Sequence, residues 1–113
     1  MDVDTAQANQ PDPEEMGAKA SQAACFLKTM ANERRLMILC HLVGGERSVS
    51  ELEQLLEMRQ PALSQQLARL REEGVVATRR ESRTIYYRLA SAETEVLLNC
   101  LYQLFCQTNG SHS

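Results

Sequence analysis

Residues 59–70 read RQPALSQQLARL. Pro61 stands where a helix can begin, because a first-turn residue needs no intrahelical partner for its nitrogen. Leu63, Leu67 and Leu70 recur at i, i+4 and i+7, which predicts one apolar stripe on a helix. Ser64, Gln65, Gln66 and Arg69 fall off that stripe. A short helix with an apolar back and a hydroxyl, amide and guanidinium front carries the groups that read base edges in a major groove. The spacing predicts this helix from Pro61 to about Glu73, with Gly74 as its stop.

Working outward, Asn32 is a cap for a helix over Glu33 to Val43, with Leu36, Leu39, Cys40 and Val43 as its buried stripe and Gly44-Gly45 as its end. Ser48-Val49-Ser50-Glu51 is a capping box. It opens a helix to Glu57 that turns Leu52, Leu55 and Leu56 inward, and Met58 to Gln60 make the turn into the next. After Gly74 the period changes. VVATRR and TIYYRL are β-rich runs flanking Glu81-Ser82-Arg83, with Ile85, Tyr87 and Leu89 inward and Tyr86 and Arg88 outward. The turn has no glycine, so the hairpin rests on composition more than on turn chemistry. Ser91 caps a last helix reaching about Gln107, with Glu93 and Glu95 where its dipole favours acids. An alanine-rich first helix spans Glu15 to Met30, with Ala20, Ala23, Ala24, Leu27 and Met30 on its apolar side.

The expected fold is mainly α with a β-hairpin wing, a winged helix-turn-helix. Residues 16–108 form the DNA-binding and dimerisation domain between a disordered acidic tail at 1–15 and a second tail at 109–113. The first and last helices are left to build a helical dimer interface. One such head reads few base pairs, so a homodimer on a palindromic double-stranded operator is expected.

Charge supports a nucleic-acid partner despite a net charge of -3 over 113 residues. Residues 59–88 hold seven arginines and three glutamates, so the segment is basic inside an acidic chain. Every cation there is Arg, which suits bidentate contacts to phosphate and guanine. For any one of them a solvated charged face is the plainer reading; the cluster beside a candidate reading helix weakens it. Ser64, Gln65 and Gln66 are the candidate reading face. Arg59 and Gln60 at the helix entrance read a base or grip phosphate. Arg79, Arg80 and Arg83 in the wing hold phosphates or enter the minor groove. No apolar run is long enough for a membrane span and the N-terminus is not a signal peptide, so a cytoplasmic protein with no membrane partner is expected.

Four cysteines, at 25, 40, 100 and 106, show no Cys-x-x-Cys spacing. Cys100 shares a stripe with Leu97, Leu101 and Leu104 and reads as core filler. Cys106 lies on a face with Asn99 and Tyr102 or Gln103, bordering solvent, where a thiol can react. Cys40 alone reads as core. Cys25 lies off the alanine side, with no evident partner. No acid-base group or cofactor loop accompanies these thiols, so neither an enzyme nor a cofactor is expected.

MANERRLMIL (30–39), SVSELEQLL (48–56), QPALSQQLARLREEGVV (60–76) and YYRL (86–89) resemble the ArsR-type repressors, over about Ala20 to Gln107. The nearest likeness is to the SqrR/BigR sulfide-responsive branch. That resemblance implies a dimeric repressor that releases DNA when persulfides or polysulfides link a cysteine of the second helix to one near the end of the last. Here those positions are Cys40 in RLMILC and Cys106 in LYQLFC. Repression of sulfide-detoxification or sulfide-oxidation genes would then lift. The metal-sensing members match poorly: Ser48-Val49-Ser50 stands where they carry Cys-x-Cys, and the last helix has no histidine. A general thiol-oxidation sensor or a metal-responsive repressor on the same fold is the alternative. Inserted sulfur atoms lengthen a link beyond the roughly 7 Å Cα separation that a direct disulfide tolerates.

Overall fold

The computed structural model describes residues 10–107. The chain divides after Met30 into two compact units. The first contains α1, Pro13–Met30, which begins two residues before the expected start at Glu15. Met16 and Leu27 are exposed on it. Of the acidic tail expected at 1–15, residues 1–9 lie outside the described residues, as does the tail at 109–113.

The second unit runs α2 (Glu33–Leu42), β1 (Arg47–Ser48), α3 (Val49–Leu56), α4 (Gln60–Glu72), β2 (Val76–Glu81), β3 (Thr84–Leu89) and α5 (Ala92–Tyr102), with a π-helical turn over Gln103–Gln107. Local chemistry sets its boundaries. Asn32 accepts from the Arg35 backbone N–H and caps α2. Ser48 and Glu51 exchange side-chain and backbone hydrogen bonds at 3.2 and 2.8 Å, the capping box expected at the start of α3. Ser91 accepts from the Thr94 N–H and caps α5. The end of α4 is a Schellman motif: Val75 N–H donates to Leu70 and Gly74 N–H to Arg71. Gly74 takes φ 75 there, a conformation that costs residues with a Cβ.

The three strands form one antiparallel sheet in the order β1-β3-β2. Thr84 to Leu89 pairs with Glu81 to Val76, which is the expected wing. Its two-residue turn puts Ser82 at φ 59, the positive angle that a tight hairpin needs and that glycine usually supplies. β1 was not foreseen. It adds only Arg47 and Ser48, opposite Tyr87 and Tyr86, too short for an alternating pattern.

The core of this unit is aliphatic. Ile38, Leu39 and Leu42 from α2, Leu52 from α3, Leu63, Leu67 and Leu70 from α4, Val75, Val76 and Leu98 are all at most 4 % exposed. The stripe predicted for α4 is therefore its buried face. That predicted for α2 is out of phase. Leu36 and Val43 are half-buried and Cys40 is exposed, because the helix packs through Ile38, Leu39 and Leu42. At about 100° per residue, Cys40 lies roughly 200° from Ile38. Cys100 is likewise exposed rather than core. α5 packs through Thr94 and Leu98, and Cys100 stands about 200° from Leu98, on the outer side. Leu55, expected inward, is exposed on an open groove shared with Met37.

The same substitution should have opposite effects at two glycines. Neither has an atom within 4 Å of where a Cβ would sit. Gly74→Ala should lower stability by about 1 kcal/mol, because it forces a left-handed alanine. Gly17→Ala, inside α1, should stabilise by up to about 1 kcal/mol. Thermal melts of the two variants check the signs.

Candidate DNA interface and thiol pair

With its leucines buried, α4 turns Ser64, Gln65, Ala68, Arg69 and Arg71 to solvent. Ser64 and Gln65 are exposed, off the leucine stripe. Gln66 is half-buried, and its Oε1 accepts from Arg35 Nε of α2 at 2.9 Å. This bond spans 31 residues and ties α4 to α2 on the polar side that flanks the leucine stripe, so Gln66 helps orient the candidate reading helix. Arg69 faces Glu73 one turn on, at 3.5 Å. Arg59 and Gln60 are both exposed at the helix entrance. Arg59 occupies the cap position without a side-chain cap bond, and Pro61 follows in the first turn. The first N–H groups of α4 are thus open to an anion such as a phosphate.

The wing arginines divide. Arg80 and Arg83 are exposed and form no hydrogen bond or ion pair among the described residues. Arg79 is engaged on three sides. Its Nε and Nη2 donate to Glu46 at 2.8 to 3.1 Å. Its Nη1 donates to Glu81 at 2.8 Å. Its guanidinium lies 4.6 Å from the centre of the Tyr86 ring. The donated hydrogen bonds and Arg79's charge hold the Glu46 carboxyl below the usual carboxylate range. Glu46, 33 residues away, goes unnoticed in the sequence because nothing local marks it as a partner.

All four cysteines are free and exposed. Cys40 sits near the C-terminal end of α2 and Cys106 inside the π-helical turn after α5. A π turn closes i→i+5 rings and so aims its side chains differently from an α-helix, often at functional sites. Two causes raise the pKa of the Cys40 thiol. Partial burial disfavours the thiolate, and the negative charge of an ionised Cys106 repels it. The fold thus brings Cys106 within electrostatic reach of Cys40, inside one unit of one chain. Cys100 does not contribute to that shift. Among the described residues, no group of three or more His, Cys, Asp or Glu side chains gathers as a metal site would require.

In α5 and the turn beyond it, Val96, Tyr102, Leu104 and Phe105 are all more than half exposed.

Comparison with known proteins agrees with this architecture. Residues 32–78 match the family described as bacterial regulatory protein, arsR family. The chain is 49% identical over 96 residues to the transcriptional activator HlyU of Vibrio cholerae, covering 85% of this chain and 89% of that one. It is 52% identical over 91 residues to the biofilm growth-associated repressor of Agrobacterium fabrum, covering 80% and 78%. The crystal structure of the transcriptional repressor BigR from Xylella fastidiosa superposes with a TM-score of 0.82 at 49% identity, covering 85% and 98%. These relatives are named as regulators of transcription, not as enzymes.

The coupling of the two thiols has a direct chemical consequence. The pKa of Cys40 is raised, so its alkylation by iodoacetamide should accelerate at a higher pH than for an unperturbed thiol. Cys106→Ser removes the repelling charge, so the Cys40 midpoint should move down and alkylation near pH 8 should speed up. Peptide-resolved alkylation rates against pH check both; an unmoved midpoint means the two thiols do not interact.

Proposed function

The chain belongs to the ArsR family of bacterial regulatory proteins, and from that premise we propose that it is a repressor whose operator binding is weakened when reactive sulfur species link Cys40 to Cys106. As a member of that family it is a DNA-binding regulator of transcription. The observation that carries the sulfur reading is the electrostatic reach between two exposed thiols on different helices. The genes released from repression would be those of sulfide detoxification or oxidation.

The chemistry balances as two thiol exchanges. The Cys40 thiolate attacks a sulfane sulfur of an organic polysulfide, R–S–(S)n–S–R, and expels one RS⁻. The Cys106 thiolate then attacks the last sulfane sulfur and expels the second RS⁻. Two cysteine thiols are consumed, two R–SH are released, and n sulfur atoms stay between the cysteines. No further oxidant is needed. Intervening sulfurs let such a link reach further than a two-sulfur bond can without moving the backbone.

A link of this kind ties the C-terminal end of α2 to the end of α5. α2 is bonded to the reading helix through Arg35 and Gln66, so a strain placed on it reaches α4 directly. The exposed apolar residues of α5 and the turn beyond it are the surface we assign to the homodimer. Two heads must keep the spacing of a palindromic operator to bind together. A coupling of about 1 to 3 kcal/mol changes affinity about 5- to 150-fold, so a small displacement suffices. On the DNA side, Arg59, Gln60, Ser64 and Gln65 carry the major-groove reading, and Arg80 and Arg83 the wing contacts.

Mobility shifts on the chain's own upstream DNA test this, with reduced protein beside protein treated with glutathione tetrasulfide, peroxide or zinc. The tetrasulfide should weaken binding at least fivefold. Cys40→Ser and Cys106→Ser should each bind normally and no longer release. A serine variant that still releases, or zinc acting where tetrasulfide does not, overturns the reading.

A further inference from the structure

The cluster of Glu46, Arg79, Glu81 and Tyr86 joins β2 and β3 of the wing sheet to the loop that leads into β1. Arg79 is on β2, and Tyr86 is its register partner on the central strand β3. On the other side Tyr86 pairs with Ser48 of β1. Glu46 lies immediately before β1, in the loop that leaves α2. Arg79 therefore reaches across the face of Tyr86 and closes on Glu46. The adjacent Arg47 donates from Nε to the His41 backbone carbonyl at 2.9 Å, anchoring the same loop to α2.

Two things follow for the guanidinium. Four of its hydrogen bonds go to carboxylates at 2.8 to 3.1 Å, in the fork geometry that phosphate would otherwise use. One face is occupied by the Tyr86 ring. Together with Glu46 and Glu81, Arg79 sums to a net negative charge, so it adds nothing attractive to the field that DNA meets. Geometrically the hairpin needs such a clamp. Two-stranded ribbons are marginally stable by themselves, and β1 adds only two residues to this one.

We propose that Arg79 is a positioning residue rather than a phosphate ligand: with Glu46, Glu81 and Tyr86 it latches the wing to the α2 loop and sets the angle at which Arg80 and Arg83 meet the DNA. Glu46 has a second effect. By keeping Arg79 neutralised, it withholds a cation that would otherwise grip any DNA backbone, which favours operator over random sequence.

Salt dependence separates these roles, because each neutralised phosphate adds about 0.9 to the slope of log affinity against log salt. Anisotropy titrations of full-length reduced protein on operator and random duplex supply the slopes. Arg80→Gln and Arg83→Gln should each flatten the slope by about 0.9 for every phosphate the arginine neutralises. Arg79→Gln should weaken operator binding severalfold with the slope unchanged, and Arg79→Lys should not rescue it, since a lysine lacks the fork. Glu46→Gln, a neutral replacement of similar shape, should steepen the slope and tighten random-DNA binding. A slope flattened by Arg79→Gln as much as by Arg80→Gln overturns the proposal. So does unchanged operator affinity in Arg79→Gln, or an unchanged slope in Glu46→Gln.

Discussion

The burial of Leu63, Leu67 and Leu70 against Ile38, Leu39, Leu42 and Leu52 is the constraint on which the rest of the head depends. A helix has one degree of freedom that matters for reading DNA, its rotation about its own axis. Three leucines at helical spacing, all fully buried, remove it. Ser64 and Gln65 then face solvent by geometry alone, and the bond from Arg35 to Gln66 holds the setting from the polar side. Truncating Leu67 would cost about 2 to 5 kcal/mol in a cavity and would release the rotation that gives the reading face its direction.

The wing and the thiols attach to that core in different ways. The wing is clamped by charge: Arg79 closes on Glu46 and Glu81 over Tyr86. Surface ion pairs are individually weak, but this one is bidentate, shared and stacked, which limits the geometries open to it. The thiols attach through helix ends. Cys40 rides on α2, the helix that also donates to Gln66 of α4 and accepts from Arg47, so one short segment is bonded to both α4 and the loop before β1. In the proposed switch, a chemical change at Cys40 would have a short mechanical route to both.

Much of the fold was legible because its signals are local. The capping box at Ser48, the glycine stop at Gly74 and the leucine stripe of α4 are each written within a few residues, and each is found where the sequence puts it. The phase of α2 was not legible. Leu36 to Cys40 is an unbroken apolar run, so periodicity cannot say which side packs, and the inward reading of Cys40 fails. β1 has two residues and no pattern. The partners of Gln66 and Arg79 lie 31 and 33 residues away, and no local rule finds a hydrogen bond at that distance. Of the site, the electrostatics of the arginine-rich segment were readable. The pairing of Cys40 with Cys106 comes from family resemblance, and the composition contains no trace of it.

The proposed switch requires that Cys40 and Cys106 of one chain become bridged by sulfur. Mass spectrometry of non-reduced digests after polysulfide treatment tests it most directly, using a mixture of isotopically light and heavy protein. A linked pair of peptides containing Cys40 and Cys106 is expected. Its mass should exceed the disulfide by one or more sulfur atoms, with light joined only to light and heavy only to heavy. Links through Cys25 or Cys100, or mixed light–heavy pairs, would contradict it.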